Sequence, residues 1–455
     1  MNRITLALLA TVWLGIQAGQ ACAALPEAQA ERLGTELTPL GAIKEGNAAG
    51  TIPAWQGGLA RDAAPVERGF VGDPFAEDQP LFVITAENAE QYRENLSPGQ
   101  LAMLKTYPQT YRIPVYRSRR SATVPEHVQA AARKSVTSVS TANDGNALRG
   151  FGESRYYAFP IPSNGLEVIW NHLTRYRGGS MKRVSAYIVP LANGSYSTVR
   201  MSDEISSAET VGNVGKEQLD TVLFFYKQRV LSPARMAGNV VLIHETIDQV
   251  ADPRRAWIYN AGQRRVRRAP QLAYDGPGQA SEGQRTVDDH DLYNGAPDRY
   301  EWKLLGQREI YIPYNSFRLA SPSLRYEQLF QAGHLNQEYT RYELHRVWEV
   351  EATLKPNQRH IYAKRRFFVD EDTWQIALSD QYDSRGNLWR VGEGHMIQFY
   401  DVQVPNYAGQ VLYDLQNRRY IAIGFANEEA RGAEYGFASK LTDFSPSALR
   451  SEGVR

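Results

Sequence analysis

Five charged or titratable residues in the C-terminal half of the sequence are spaced so that they fall on one face of a predicted sheet. They are Arg346, Arg365, Asp380, Glu393 and His395. The cations and carboxylates could neutralise one another inside the protein, because buried charges are usually paired. They could instead bind a ligand with a charged head and a long tail. A carboxylate and a histidine could also form an acid–base pair for catalysis.

Two other segments contain residue types that can bind metal or phosphate. The run 288–291 reads Asp-Asp-His-Asp, although such density on a loop is more typical of a solvated acidic turn. The segment 212–216 resembles the end of a phosphate-binding loop, but Thr210 replaces the first glycine and Glu217 the final Ser or Thr. No G-x-S-x-G or H-E-x-x-H sequence occurs. We therefore expect no catalytic residue, cofactor or metal.

A predicted hairpin around Trp257 and Tyr259 is crowded with arginine. The hairpin could be an ordinary solvated strand face. It could instead be a docking patch for an acidic partner or an anionic lipid surface. The candidate docking residues are Arg254, Arg255, Arg264, Arg265, Arg267 and Arg268.

The elements that must position the first set of residues are strands. From 339 to 354 apolar and polar residues alternate, which predicts a long strand with one apolar face, and Arg346 is the exception on that face. Turns of even length carry the same face into the following strands. A four-residue loop at 384–387 would place Glu393 and His395 on it, whereas a five-residue loop would reverse that strand. The predicted antiparallel meander comprises 339–354, 361–369, 374–382, 388–400, 410–415 and 419–425.

Other elements follow from helical spacing, caps and turn residues. Helices are predicted at 86–95, 98–105, 124–136, 166–176 and 219–230. Hairpins are predicted at 184–190 with 196–204 and at 256–259 with 265–267, and a strand at 240–246. The small, polar run 138–152 predicts a mobile linker.

The first 23 residues have the three parts of a secretory signal. Asn2 and Arg3 precede an apolar run at 4–16, and a small-residue cleavage site follows at 20–23. The run is shorter than the roughly 20 residues that span a bilayer, although an uncleaved anchor is an alternative. Cys22 is the single cysteine and could carry a lipid, but the preceding Gly-Gln-Ala lacks the usual leucine, so a soluble mature form is favoured. Removal of Arg3 takes the formal charge from +1 to zero, which argues against nucleic-acid binding.

Four runs of the sequence resemble a known family. They are LTPLGAIKEGNAAGTIPAWQGG at 37–58, IPSNGLEVIWNHLTRYRG at 161–178, RRAWIYNAGQRRVRRAP at 254–270 and DLYNGAPDRYEWKLLGQREIYIPY at 291–314. Together they resemble a Gram-negative periplasmic family of unknown function, whose members are described as outer-membrane lipoprotein-sorting proteins. The resemblance implies the fold of the lipoprotein carriers LolA and LolB, a strongly curved antiparallel sheet or incomplete barrel with a helical lid.

The same resemblance implies a lipid-like hydrophobic cargo on the concave side of the sheet, an inner-membrane transporter of the resistance-nodulation-division (RND) type and an outer-membrane partner. The expected function is therefore a periplasmic, non-enzymatic carrier. A docking adaptor with a packed core is an alternative, and an envelope hydrolase is a third. The expected cargo-binding residues are Tyr342, Leu344, Arg346, Trp348, Val350, Arg365, Phe367, Trp374, Ile376, Leu378, Trp389 and His395. We also expect the guanidinium of Arg365 to approach the indole of Trp348.

The expected organisation has four parts. A signal peptide at 1–23 precedes an N-terminal extension of ordered loop and short helices at 24–150. The curved-sheet domain covers 151–430, and a C-terminal tail covers 431–455. The mainly β fold with helices thus occupies most of the mature chain.

Overall fold

The computed structural model describes residues 24–269 and 274–453, so the predicted signal peptide lies outside the described residues. The α-helices α1 to α7 are Glu27–Ala30, Pro98–Thr106, Glu126–Ser138, Gly165–Thr174, Lys216–Thr221, Tyr326–Leu329 and Ala448–Gly453. The strands β1 to β11 are Val66–Glu67, Phe70–Val71, Phe82–Ile84, Ile113–Tyr116, Ser140–Ala142, Ala147–Arg149, Ser180–Ile188, Thr198–Ser207, Val211–Gly212, Val222–Ser232 and Val240–Thr246. The strands β12 to β22 are Arg255–Asn260, Arg265–Arg268, Tyr300–Pro313, Tyr342–Leu354, Lys364–Asp370, Ile376–Tyr382, Leu388–Phe399, Val404–Asp414, Arg419–Phe425, Glu434–Tyr435 and Ser439–Lys440.

One large sheet organises the protein. Its strand order is β13-β12-β11-β10-β8-β7-β20-β19-β18-β17-β16-β15-β4-β3, with β14 paired to β15 and β21 paired to β7. Strands β15 to β20 follow one another in sequence and are antiparallel. The end strands β13 and β3 do not pair with each other in this order, so the sheet is not closed into a barrel. The predicted mainly β fold and its antiparallel meander are confirmed.

Helix α4 covers one face of this sheet. Its N-terminus is capped by Asn164, whose side chain accepts a hydrogen bond from the Glu167 amide at 3.0 Å. Ile169 and Leu173 on the helix are buried in one core with Phe367 of β16. The sequence predicted this helix with Ser163 or Asn164 as its cap, and the structure confirms the helix with Asn164 as the cap.

Part of the N-terminal extension, including α2, covers the opposite face. Ser97 caps α2 in a reciprocal capping box with Gln100, and Met103 of α2 packs in one core with Val391 and Val411 of the sheet. Strand β4 joins the sheet through parallel pairing with the start of β15. The extension is therefore woven into the sheet, and the division near residue 150 remains a proposal.

Three predicted elements differ from the structure, and one strand was missed. The predicted helix at 219–230 is wrong, because residues 222–232 form strand β10 between β8 and β11. The predicted linker at 138–152 contains the hairpin of β5 and β6. The predicted helix at 86–95 is a 3₁₀ helix at Ala89–Asn95. Strand β14 was missed, although it spans 14 residues.

Candidate functional site

The predicted cargo surface around Trp348 is a packed core, with Trp348 itself half-buried at its edge. Phe367, Trp374 and Ile376 are all fully buried. The indole of Trp374 stacks on that of Trp348 with the ring centroids 6.1 Å apart, and its Nε1 donates to the Leu40 carbonyl at 2.8 Å. Val350 belongs to the same core, which α4 covers. Protein groups therefore fill the space that the sequence assigned to an acyl chain.

A β-bulge reverses half of the predicted inner face. On β16 Val369 lies opposite Ile376, but Phe368 lies opposite Leu378, and the register shifts between these pairs. One extra residue moves every following side chain to the other face. The prediction that Leu378, Asp380, Glu393 and His395 share a face with Trp348 is therefore wrong.

The predicted contact between Trp348 and Arg365 is also wrong. Trp348 lies opposite Val369, whereas Arg365 lies opposite Ala352, four residues further along β15. That separation is about 13 Å at the usual strand rise. The two side chains share a face, but the Arg365 guanidinium lies 4.8 Å from the ring centre of Tyr362 instead.

Arg365 and the 288–291 run form a buried ion-pair network. Arg365 donates to Asp288 at 3.0 Å, and Arg175 and Arg177 bind Asp291 at 2.6 and 2.9 Å. These arginines hold the pKa of Asp291 well below its ordinary value despite its burial. The run is therefore not a solvated turn, because its carboxylates are buried and bound to arginines.

Arg346 belongs to a second network at the turn between β16 and β17. Its Nε donates to Glu371 at 2.7 Å, and Arg120 binds Asp372 at 2.6 Å. In the described part of the chain, His345, Asp370 and Asp372 each bring one possible ligand atom within 4.8 Å of the others. Because Arg120 already supplies the opposite charge, we interpret this cluster as an ion-pair network. Burial and the nearby Asp372 raise the pKa of Asp370 to about 6.

The possible acid–base pair of Glu393 and His395 is fully buried. Glu393 accepts hydrogen bonds from the hydroxyls of Tyr111, Tyr342 and Tyr413 at 2.9, 3.0 and 3.2 Å. Burial raises the pKa of Glu393 and lowers that of His395 to about 3. Both groups are enclosed by protein in this conformation, so they are packed interior residues rather than an accessible catalytic pair.

Three other predicted cargo residues also lie outside the core at Trp348. Tyr342 and Leu344 pack in the core beneath the N-terminal extension. Trp389 is half-buried at a bulge between β17 and β18, and its Nε1 donates to Asp414 at 2.9 Å. Sequence alternation could not reveal these neighbours, because they come from distant parts of the chain.

The arginine hairpin divides into paired and exposed residues. Arg254 is buried and binds Glu245 at 2.8 Å, and Arg255 binds Asp252 at 2.5 Å. The prediction that Arg254 lies on a docking surface is wrong. The other four arginines are exposed on the edge strand β13 and its turn, and they form no ion pair with a described carboxylate: Arg264, Arg265, Arg267 and Arg268.

A cavity of about 60 Å³ lies further along the sheet, between β10, β11 and residues 274–294, which we call the covering segment. A water molecule needs about 10–15 Å³ of such volume, so the cavity can hold a few small groups but not a long chain in this conformation. Its largely apolar walls include Phe224, Tyr226, Val241, Ile243, Val287 and His290.

A few polar side chains interrupt the apolar wall of this cavity. Glu245 and Arg254 form a neutral pair there. The ring of His290 lies 5.4 Å from that of Tyr226, and burial lowers the pKa of His290 to about 4 although Asp291 opposes this shift. Arg285 also lines the cavity. An apolar pocket with a few placed polar groups is the usual form of a small-molecule site.

The covering segment has backbone hydrogen bonds of its own and is also bonded to the sheet. The Gly278 amide donates to the Arg285 carbonyl at 3.0 Å, and the Val287 amide to the Gly276 carbonyl at 2.8 Å. The tip of the segment, at Gly283, is bonded to the sheet: Arg390 of β18 donates to the Gly283 carbonyl at 2.6 Å. The segment is thus hairpin-like and is held at its tip, at the 288–291 network and at Asn294, whose side chain donates to Glu245 at 3.0 Å.

Sequence reasoning missed the cavity because it assigned β10 to a helix. Phe224, Tyr226 and Gln228 alternate along β10 and all line the cavity. The aromatic run Phe224-Phe225-Tyr226 was a signal for a strand.

The family model described as "Protein of unknown function (DUF1329)" matches residues 83–450. The chain belongs to this family. It is also 56% identical over 443 residues to an uncharacterized protein of Pseudomonas aeruginosa, and the match covers 97% of each of the two chains. The family resemblance predicted from the four sequence runs is confirmed.

Two solved structures of low sequence identity are similar to part of this chain. A domain from Vibrio parahaemolyticus, described as an outer membrane lipoprotein-sorting protein, is 16% identical and covers 63% of this chain and 98% of its own, with a TM-score of 0.43. A LolA superfamily protein from Nitrosomonas europaea is 10% identical and covers 57% and 90%, with a TM-score of 0.35. Because these identities and TM-scores are low, the functional proposals below are argued from the residues of this chain alone.

No helix in residues 24–269 or 274–453 has both the length and the apolar character needed to cross a membrane.

Proposed function

We propose that the protein is a periplasmic, non-enzymatic carrier that binds a hydrophobic ligand between β10, β11 and the covering segment. The single observation that carries this proposal is the apolar cavity with a few polar groups. The signal-like start of the sequence supports export. The cargo site therefore moves from the Trp348 face to the cavity.

Binding of a long chain requires the covering segment to move away from the sheet. The hydrogen bonds within the segment would survive such a movement, since Gly278 and Arg285 bond to each other. The contacts of Arg390 with Gly283 and of Arg419 with Glu282, both at the tip, would break. Ligands shift such equilibria by binding one state more tightly than the other.

The family resemblance extends the proposal to partners. The carrier would receive its cargo from an RND-type inner-membrane transporter and deliver it to an outer-membrane protein. During delivery the carrier itself would be associated with the outer membrane. Cross-linking in cells from an exposed hairpin position such as Arg265 tests this extension. Recovery of a membrane transporter or outer-membrane protein supports it, and its absence from all cross-links contradicts it.

Native mass spectrometry with lipid extraction tests the carrier proposal. We expect wild-type protein to retain an apolar ligand and Ile243→Trp, which fills the cavity, to lose it. Val266→Trp is the matched control, because Val266 is half-buried on β13 opposite Tyr259, on the other face of the sheet, and does not line the cavity. If wild type retains no ligand and binds no added single-chain lipid, the carrier proposal is wrong.

A docking adaptor is the second candidate function. The observation that favours it is the closed core at Trp348 and Trp374, where the sequence predicted a cargo site. An adaptor would bind its partner through the exposed arginines of β13 and would carry no lipid. The same mass spectrometry separates the two functions.

A further inference from the structure

Arg285 is a buried cation without a carboxylate partner. Only 6% of the residue is exposed, and it lines the cavity. Its Nη1 donates to the Thr286 carbonyl at 3.2 Å, whereas its Nε has no hydrogen-bond partner. No carboxylate in residues 24–269 or 274–453 forms an ion pair with it. Buried arginines are rare unless they are paired.

The nearby carboxylates are already bound to other arginines. Glu245 binds Arg254 at 2.8 Å, and the carboxylates of the 288–291 run bind Arg365, Arg175 and Arg177. Asp203, which accepts hydrogen bonds from Tyr226 and Gln228 of the cavity wall, lies 3.5 Å from Arg183. The cavity wall therefore keeps one positive charge that the protein itself does not compensate. In apolar surroundings such a charge attracts an anion much more strongly than it would in water.

The guanidinium is held in place by its packing. A Cβ atom built on Gly278 would lie 2.7 Å from Arg285 Cζ and 2.9 Å from its Nε, so only glycine at 278 allows this position. The guanidinium also lies 5.9 Å from the ring centre of Tyr187. Gly278 and the Tyr187 ring pack against the guanidinium without accepting hydrogen bonds from it. N–H groups of the guanidinium therefore remain available to a ligand.

We propose that Arg285 binds the anionic head of a single-chain amphiphile whose chain occupies the apolar cavity. This inference rests on the proposed carrier function and names the ligand class of the same site. A guanidinium fork matches the two oxygens of a carboxylate or of a phosphate. The head could thus belong to a fatty acid or to an alkyl phosphate, and the experiment separates these sources.

The test measures binding of three ligands with the same chain: palmitate, hexadecyl phosphate and 1-hexadecanol. Titrations by calorimetry or native mass spectrometry use wild type, Arg285→Gln and Arg285→Lys. We expect wild type to bind at least one anion about tenfold more tightly than the alcohol, since a charge-assisted hydrogen bond is worth that much or more. The preferred anion identifies the head group.

We expect Arg285→Gln to remove this preference and to leave hexadecanol binding unchanged, and Arg285→Lys to restore part of it. Gly278→Ala should weaken anion binding in the same way by displacing the guanidinium. Thermal unfolding establishes that each variant is folded, and Arg285→Lys serves if Arg285→Gln does not fold. Equal binding of all three ligands, unaffected by Arg285→Gln, overturns the role of Arg285 but keeps the carrier. Binding of none of them by folded wild type overturns the carrier proposal itself.

Discussion

The amide of Gly99 donates a hydrogen bond to Asp380 Oδ2 at 3.0 Å, and this bond ties the N-terminal extension to the sheet. A Cβ atom on Gly99 would lie 2.1 Å from Asp380 Oδ1, so the start of α2 approaches the carboxylate as closely as a glycine permits. Asp380 is fully buried. Burial raises its pKa to about 7, although the Gly99 amide and Arg366 oppose the shift.

This contact makes stability depend on pH. A carboxyl with a raised pKa binds its proton more tightly in the folded state, so the free energy of unfolding falls as pH rises from about 4 through 7. We expect Asp380→Asn to remove this loss, which is on the order of a few kcal/mol for a shift of this size. Denaturant unfolding of both proteins at pH 4 to 8 measures the difference.

Other buried carboxylates titrate in the same direction and must be separated from Asp380. Glu371 has a pKa raised to about 7 and Asp370 one raised to about 6, mainly by burial. Both remain in Asp380→Asn, so the difference between the two proteins isolates Asp380. If this difference is constant from pH 4 to 8, Asp380 does not titrate as described.

Trp374→Ala distinguishes a packed core from a cargo surface. Trp374 is fully buried, stacks on Trp348 and hydrogen-bonds the Leu40 carbonyl. We expect the substitution to lower the free energy of unfolding by about 3–5 kcal/mol, as for other buried tryptophans. Ligand binding by the folded variant should persist, because Trp374 does not line the cavity.

Trp389→Ala is the control for this substitution. Trp389 is only half-buried, so we expect a smaller loss of stability in urea unfolding. The opposite pattern, in which Trp374→Ala stays stable but loses bound lipid, would restore the cargo surface that the sequence predicted.

Sequence patterns predicted the meander because alternation and turn residues act locally. They placed β15 to β20 in the right order, and the residue types of Ser163 and Asn164 predicted that one of them caps α4, which Asn164 does. The faces of Leu378 and of the residues after it in β17 and β18 were predicted wrongly, since the extra residue between Ile376 and Leu378 leaves no mark on the alternation.

The candidate site was less predictable than the fold. Leu219, Val222, Leu223, Tyr226 and Val230 have helical spacing, but pairing with β8 and β11 on both sides determines a strand there. Tertiary pairing thus overrode local spacing. The charge of Arg285 stands out only once the structure shows that its neighbours Glu245 and Asp291 are already paired.

The N-terminus offers a prediction that is independent of the described residues. The charged start, the apolar run at 4–16 and the small-residue site at 20–23 predict export and cleavage, so the mature protein should begin at or near Ala24. N-terminal sequencing of protein from the periplasmic fraction measures this. Periplasmic protein that starts at Met1, or protein found only in the cytoplasm, would contradict the prediction.

The exposed arginines of β13 and its turn give a prediction about docking. Arg264, Arg265, Arg267 and Arg268 are exposed and without described ion-pair partners, so their charge is available to an anionic surface. Alternatively, these arginines only prevent the edge strand β13 from pairing with a strand of another chain. We expect replacement of all four by Ser to abolish binding to phosphatidylglycerol vesicles, and wild-type binding to weaken with salt. Sedimentation with vesicles measures both effects.

The matched control for the hairpin removes the same charge elsewhere. Arg133, Arg235, Arg359 and Arg385 are exposed outside the hairpin, and their joint replacement by Ser changes net charge equally. We expect this control to retain vesicle binding, because attraction between exposed charges fades beyond about 8–10 Å at ordinary salt. Both variants should keep the ligand in the cavity, which the eight arginines do not line. Equal loss of vesicle binding in the two variants would mean that net charge rather than the hairpin determines binding. Full binding by the hairpin variant would leave edge protection as the role of these arginines.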